Sequence, residues 1–385
     1  MLRHTVLLAL PLLLLAACQN DPDPTSVGII PDEDLVGAVR FDSQTDSVQI
    51  SSDGFETKLL PYSSSMLSVG QADGFDASAL IRWLYLADSV GGGGRIISAR
   101  MRLHSLPYRI GDNGPVALEV REITSFWSSF TFSSDSLTRL EVLPEVKGSV
   151  TRSLADTDSI DIPLDTTMVR EWLRKANSGR FTELRGLLLQ SSSGGNIRSF
   201  QSAEGSKPPT LEIVIEQNGK QDTLAGQNLE DTYVARKAVP AYPGRIVVQG
   251  GSSVRGRLFF DVSAIPANSI INHVSVQFRI DRDLSTKLYR GIDSLLVHIN
   301  LDSARNVPSS SGIMTSQSVS DPTLLTAQGT ILIQAVQNWV NRRGNNGLIL
   351  IKAAELSDLD RLVVYDGTAS KDLRPRLIVT YTTQP

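Results

Sequence analysis

Cysteine is almost missing from this chain of 385 residues: Cys18 is the only one. No internal disulfide can form, so every folded unit must rest on its own core. Histidine is nearly as scarce. Beyond His4 there are His104, His273 and His298, none near another at ligand spacing and none in an HExxH arrangement. Neither a metal centre nor a cofactor is therefore expected. The run Gly251-Ser252-Ser253-Val254-Arg255-Gly256 lacks the GxSxG of a nucleophile elbow and the Gly-Lys-Ser/Thr ending of a P-loop, and reads as a hairpin turn. Hydrolysis of a glycan needs only two carboxylates a few ångströms apart, yet no pair stands out among 41 acidic residues. Asp73-Gly74-Phe75-Asp76 reads as an Asx turn rather than a calcium loop. The expectation is a protein without catalysis. A positive surplus is absent too, and the formal net charge of −4 argues against nucleic acid as a partner.

No apolar run is long enough to span a bilayer. The longest, Val6 to Ala17, is 12 residues broken by Pro11, the size of a signal-peptide core. It ends Leu15-Ala16-Ala17-Cys18, which resembles the lipobox of bacterial lipoproteins. That resemblance implies a signal peptide over 1–17, acylation of Cys18, and a partnership with the membrane through the attached lipid. Gln19 in place of Asp points to the outer membrane. Residues 18–35, rich in Asp, Pro and Ser, read as a flexible tether.

What is present is a stretch written twice. Val169, Trp172, Leu173 and Ala176 lie at helical spacing, followed by Asn177 and Gly179 and the apolar run Leu187-Leu188-Leu189. Val336, Trp339 and Val340 repeat the pattern, followed by Asn345, Asn346 and Gly347 and then Leu348 to Ile351. Each copy predicts a short amphipathic helix, a left-handed stop at its Gly or Asn, and a buried strand. Each copy then reaches a closing strand led by proline, Pro209 to Ile215 and Pro375 to Tyr381. The two tryptophans are 167 residues apart, a domain-sized period. Two modules are expected, over 36–217 and 218–385.

Short strands dominate both. Ile97, Ala99, Met101 and Leu103 alternate with Ser98, Arg100, Arg102 and His104, the mark of a half-buried antiparallel strand. Ala79 to Leu86 and Val116 to Arg121 add two more, with Gly91 to Gly94 as a turn. Phe126 to Phe132 is the most aromatic patch of the chain. Its structural reading, a plug at the end of a sandwich, outweighs stacking on sugar rings. Ser133 to Asp158 reads as a polar loop. In the second module Asp231-Thr232-Tyr233-Val234 opens the order, with Glu56-Thr57-Lys58-Leu59 as its counterpart. Arg257 to Val262, the Val274/Val276/Phe278/Ile280 alternation and Ser294 to Leu301 follow. The fold class is all-β: two tandem jelly-roll-like antiparallel β-sandwiches, each with one short helix.

The series DTYV, RLFFDVSAIP, SIINHVSVQFRI, VQNWV, GNNGLILI and RPRLIVTY resembles the DNRLRE, or disaggregatase-related, domain. The match covers most of 228–382 and, more weakly, 55–215. It implies a jelly-roll sandwich of secreted and surface proteins, a family that includes carbohydrate-binding modules. Leu84-Tyr85 stands where the family has Phe-Asp (Phe260-Asp261 here), so the two copies need not share a ligand.

Residues 18–217 carry 18 Lys and Arg against 27 Asp and Glu, whereas 218–385 carry 18 against 14. A basic second module suits an acidic polysaccharide, because guanidinium groups pair bidentately with carboxylates. Arg255, Arg257, Gln277, Arg279 and His298 form the candidate glycan-binding group, with a solvated sheet face as the competing reading. The expected function is a surface-anchored lipoprotein that binds polysaccharide. The alternatives are an envelope-assembly lipoprotein with protein partners, or a polysaccharide hydrolase or lyase with an unrecognised site.

Overall fold

The computed structural model describes residues 37–383 apart from 47, 87–93, 156–157, 238–240, 253 and 287–292. The signal peptide, Cys18 and the tether to residue 35 lie outside the described residues, as do three glycines of the 91–94 turn. The chain is all-β. Among the described residues its sheets are antiparallel, of five, ten and seven strands, and helices are confined to short pieces between them.

Two large cores lie within the sheets. One joins Met101, Leu103, Val169, Trp172, Leu187, Ile213 and their neighbours. The other joins Leu258, Phe260, Val276, Phe278, Val336, Trp339 and Leu377. Pairing in the two halves follows one scheme. In the first, Leu187–Ser191 lies between Phe75–Leu86 and Val116–Ile123, while Thr210–Gln217 pairs with Arg95–Gly111. In the second, Leu348–Lys352 lies between Val254–Phe260 and Leu295–Asp302, while Arg376–Thr383 pairs with Ser269–Arg279. The helices Thr166–Asn177 and Thr330–Val340 bury Trp172 and Trp339 against these cores. Asp165 caps the first, its carboxylate accepting from Thr167 N and Met168 N at 2.7 and 3.0 Å.

Sheet membership does not follow the division expected at 217/218. The strand Val39–Asp42 pairs with Arg376–Thr383, and Ile50–Glu56 pairs with Val254–Phe260 along seven registers. Residues 226–236, the later part of the Lys220–Arg236 strand, pair instead with Phe75–Leu86. Asp231 to Val234 therefore completes the first set of strands, and the 39–56 segment completes the second. A strand's side-chain pattern reveals which face it buries but not which sheet receives it, so chain order misassigned both.

Three local expectations also change. Ile97 points outward, 37% exposed, because the pairing with Thr210–Gln217 slips at Val214/Ile215 and buries Ile96 instead. A β-bulge inserts one residue and inverts the alternation behind it. Within the 133–158 stretch, Val142–Arg152 is an 11-residue strand on the outer edge of the ten-stranded path. It is half-buried or exposed on both faces, so no periodicity announced it. Finally, the second helix takes its left-handed stop at Arg342, φ 57°, before the expected Asn and Gly. Gly347 serves the next strand: a Cβ there would lie 2.4 Å from Leu258 O. Its geometric counterpart is Gly186, where a Cβ would lie 2.3 Å from Ile81 O. Both have positive φ, and only glycine admits that approach.

Candidate binding sites

The structure divides the expected glycan-binding group. Arg255 and Arg257 lie on Val254–Phe260 and His298 on Leu295–Asp302, all in the seven-stranded sheet. Gln277 and Arg279 lie on Ser269–Arg279 in the five-stranded sheet. The inner faces of these strands share one core through Leu258, Val297, Val276 and Phe278. The alternate side chains therefore occupy opposite outer surfaces of the sandwich.

On the seven-stranded side the cations are consumed by the fold. Arg255 holds Glu355 through two bonds of 2.8 Å, with both side chains largely buried. Arg257 grips Asp53 on the crossing Ile50–Glu56 strand at 2.7 and 2.5 Å and reaches Asn306 Oδ1 at 3.3 Å. His298 Nδ1 bonds Ser309 O at 2.8 Å, and its ring fills the space a side chain at Gly312 would need. These residues fasten loops and the added strand, a role their residue types could not disclose.

The five-stranded side carries a cleft of about 260 Å³ lined by Gln44, Gln277, Arg279, Asp372, Arg374 and Arg376. Gln277 sits opposite Arg376 across the strand pair, so both lie on one face. The Gln277 amide makes no hydrogen bond among the described residues. Arg376 pairs with Asp42 at 2.9 and 2.5 Å, and its guanidinium holds that carboxyl below the usual carboxylate range. Arg279 pairs with Asp321 and donates to Thr323 Oγ1 at 3.3 Å. Arg374 donates from Nη2 to Ser43 O at 2.8 Å, while its buried Nε has no partner. Arg374 and Arg376 were missed from sequence because they stand on the closing strand and the loop before it, read there only as structural. Gln44 comes from the segment that crosses over from the N-terminal side.

The aromatic loop covers the outer face of the ten-stranded sheet. Trp127 and Phe132 join Leu80, Ile123, Leu188 and Val234 in a third, small core. This explains the unbroken Leu187-Leu188-Leu189 run: Leu187 and Leu189 enter the main core and Leu188 the small one. Trp127 Nε1 donates to Arg185 O at 2.7 Å, and Glu230 Oε1 accepts from Ser129 N at 2.7 Å. Phe126 and Phe130 stay outside, 69% and 67% exposed.

Among the described residues no group of three or more His, Cys, Asp or Glu side chains is placed to hold a metal ion. No described helix is long and apolar enough to cross a membrane. The chain matches no family model, no curated protein and no solved structure.

Proposed function

We propose that this chain is a bacterial outer-membrane lipoprotein, anchored through acylated Cys18 and a tether over 18–35, that binds an acidic polysaccharide without cleaving it. Its two halves are tandem jelly-roll modules of the DNRLRE type, set side by side on the tether. The observation that carries this reading is the cleft on the five-stranded sheet. Three guanidiniums and the Gln277 amide, which has no partner among the described residues, line one open surface. Guanidiniums already oriented by Asp42 and Asp321 lose little rotamer entropy on meeting a sugar carboxylate. One carboxylate, Asp372, is among the lining residues, where glycoside hydrolysis uses two.

A saccharide array probed with the full chain, containing neutral and uronic-acid polysaccharides, tests the proposal. Retention on acidic chains that weakens with salt is the expected result. A blank array would overturn it in favour of an envelope-assembly role, and release of shortened products would overturn the non-catalytic reading.

A further inference from the structure

The aromatic loop offers a second kind of surface, far in sequence from the arginine cleft. Two of its four aromatic rings are anchors. Trp127 and Phe132 pack edge to face, with centroids 6.1 Å apart, in the small core. The loop is further pinned by the Glu230 carboxylate and by Ser125 Oγ, which accepts from Glu141 N at 2.9 Å. Phe126 and Phe130 are thus presented on a rigid frame and not left loose on the surface. The Arg82 and Arg185 guanidiniums stand 5.6 and 5.4 Å from the Phe126 centroid, which fixes that ring further. Phe130 lies against Tyr62, itself 42% exposed, at 5.3 Å between centroids.

Beside Phe126 lies a cavity of about 210 Å³ whose rim includes Ser125, Ser128, Thr131, Ser136 and Arg139. Most arginines near the other clefts are tied to carboxylates, whereas the exposed Arg139 guanidinium has no partner among the described residues. An apolar ring face, several hydroxyls and one uncommitted cation match the C–H face, hydroxyls and carboxylate of a uronic acid residue. Ordered rings lose little freedom on contact, so their exposure favours binding over disorder.

We infer that the 125–140 loop is a second saccharide subsite, with Phe126 and Phe130 stacking on sugar rings and Arg139 pairing with a uronate carboxylate. This rests on the polysaccharide reading above and adds to it a site of different chemistry on the other half of the chain. Two sites on one polymer raise avidity through effective concentration.

The test is calorimetric titration of the full chain, bearing Cys18→Ser to prevent lipidation, with a uronic-acid hexasaccharide and with a neutral hexasaccharide. The expected result is two binding equivalents of the acidic sugar. Phe126→Ala combined with Phe130→Ala removes one of them and leaves the thermal unfolding curve in place, since both rings are exposed. Arg139→Ala weakens that equivalent about tenfold for the acidic sugar and leaves any neutral-sugar binding unchanged. Two equivalents retained by the double phenylalanine variant would overturn the subsite while leaving the arginine cleft standing. One equivalent in the wild type, lost only with Gln277→Ala and Arg279→Ala, would do the same. No binding by the wild type would overturn the polysaccharide reading itself. Binding to vesicles of anionic phospholipid that disappears in the phenylalanine variant, with saccharide binding unchanged, would reassign the rings to the membrane surface.

Discussion

Tyr108 and Asp360 stand 252 residues apart in sequence and 2.9 Å apart in space, the phenol donating to the carboxylate. The same hydroxyl accepts from Leu359 N at 2.7 Å. Leu359 belongs to the first half's core although it comes from the second half's chain. Nearby, Tyr233 donates to Leu356 O at 2.8 Å, and Gln249 Nε2 donates to Leu359 O. The segment between Lys352 and Arg361 thus ties the surroundings of the two large cores together through buried polar groups whose bonds have to be satisfied.

Tyr108→Phe keeps the ring and removes both bonds. It leaves the Leu359 amide and the Asp360 carboxylate short of a partner, at a cost of about 1–3 kcal/mol. Urea unfolding should show a lower midpoint. An unchanged midpoint would mean that water replaces the phenol without loss.

Arg82 and Glu230 form a buried pair between Phe75–Leu86 and the crossing strand, their side chains only 8% and 13% exposed. Arg82→Met strands a buried carboxylate and should destabilise by about 3–5 kcal/mol. Adding Glu230→Met should restore part of that loss, because two desolvated charges disappear together. Denaturation of the two single variants and the double variant closes the cycle. Additive losses would contradict the pairing.

Asp231 is buried beside Glu204 and Glu230, and burial chiefly pushes its carboxyl up to about 7, against the bond from Ala203 N. Burial likewise raises Asp360 to about 6, with the neighbouring Asp358 adding to the rise. Both carboxyls hold a proton more tightly folded than unfolded. Their contribution to stability is complete below the ordinary carboxylate range and is lost as pH rises through 6 and 7. Asp42 and Asp161 act in the opposite sense. Arg376 and Arg102 lower them, so their contribution is lost as pH falls below the ordinary range. Thermal melts should therefore peak in mildly acidic buffer. Asp231→Asn should raise the melting temperature at pH 8 and leave it unchanged at pH 4. Equal effects at both pH values would contradict a folded-state titration of Asp231 between them.

Asp165→Ala removes the acceptor for two amides at the start of the Trp172 helix, at a cost of about 1 kcal/mol. Thermal melts of the variant should shift down without change in the β-sheet signal. No shift would mean that solvent caps this helix end equally well.

Much of the fold was legible because burial imposes a period. The alternation through Val274, Val276 and Phe278, and the helical spacing around Trp172 and Trp339, each named a face that the cores then occupy. The crossing of Ile50–Glu56 and Leu229 to Arg236 was not legible, because pairing partners leave no periodic trace. The binding surfaces were legible only as residue types. Arg255 and Arg279 look alike in sequence and both hold a carboxylate, yet the Arg255–Glu355 pair is largely buried while the Arg279–Asp321 pair is partly exposed beside an open cleft. Phe126 and Trp127 are neighbours with opposite fates, decided by which of them faces Leu80 and Leu188.

The most direct measurement is titration of the full chain with a uronic-acid hexasaccharide, comparing Gln277→Ala combined with Arg279→Ala against Arg257→Ala. The first pair lies in the cleft of the five-stranded sheet; Arg257 lies on the opposite face, tied to Asp53. The account predicts about a tenfold or greater loss of affinity at one site for the first variant and wild-type binding for Arg257→Ala. Equal affinity in both variants, or the loss confined to Arg257→Ala, would contradict it.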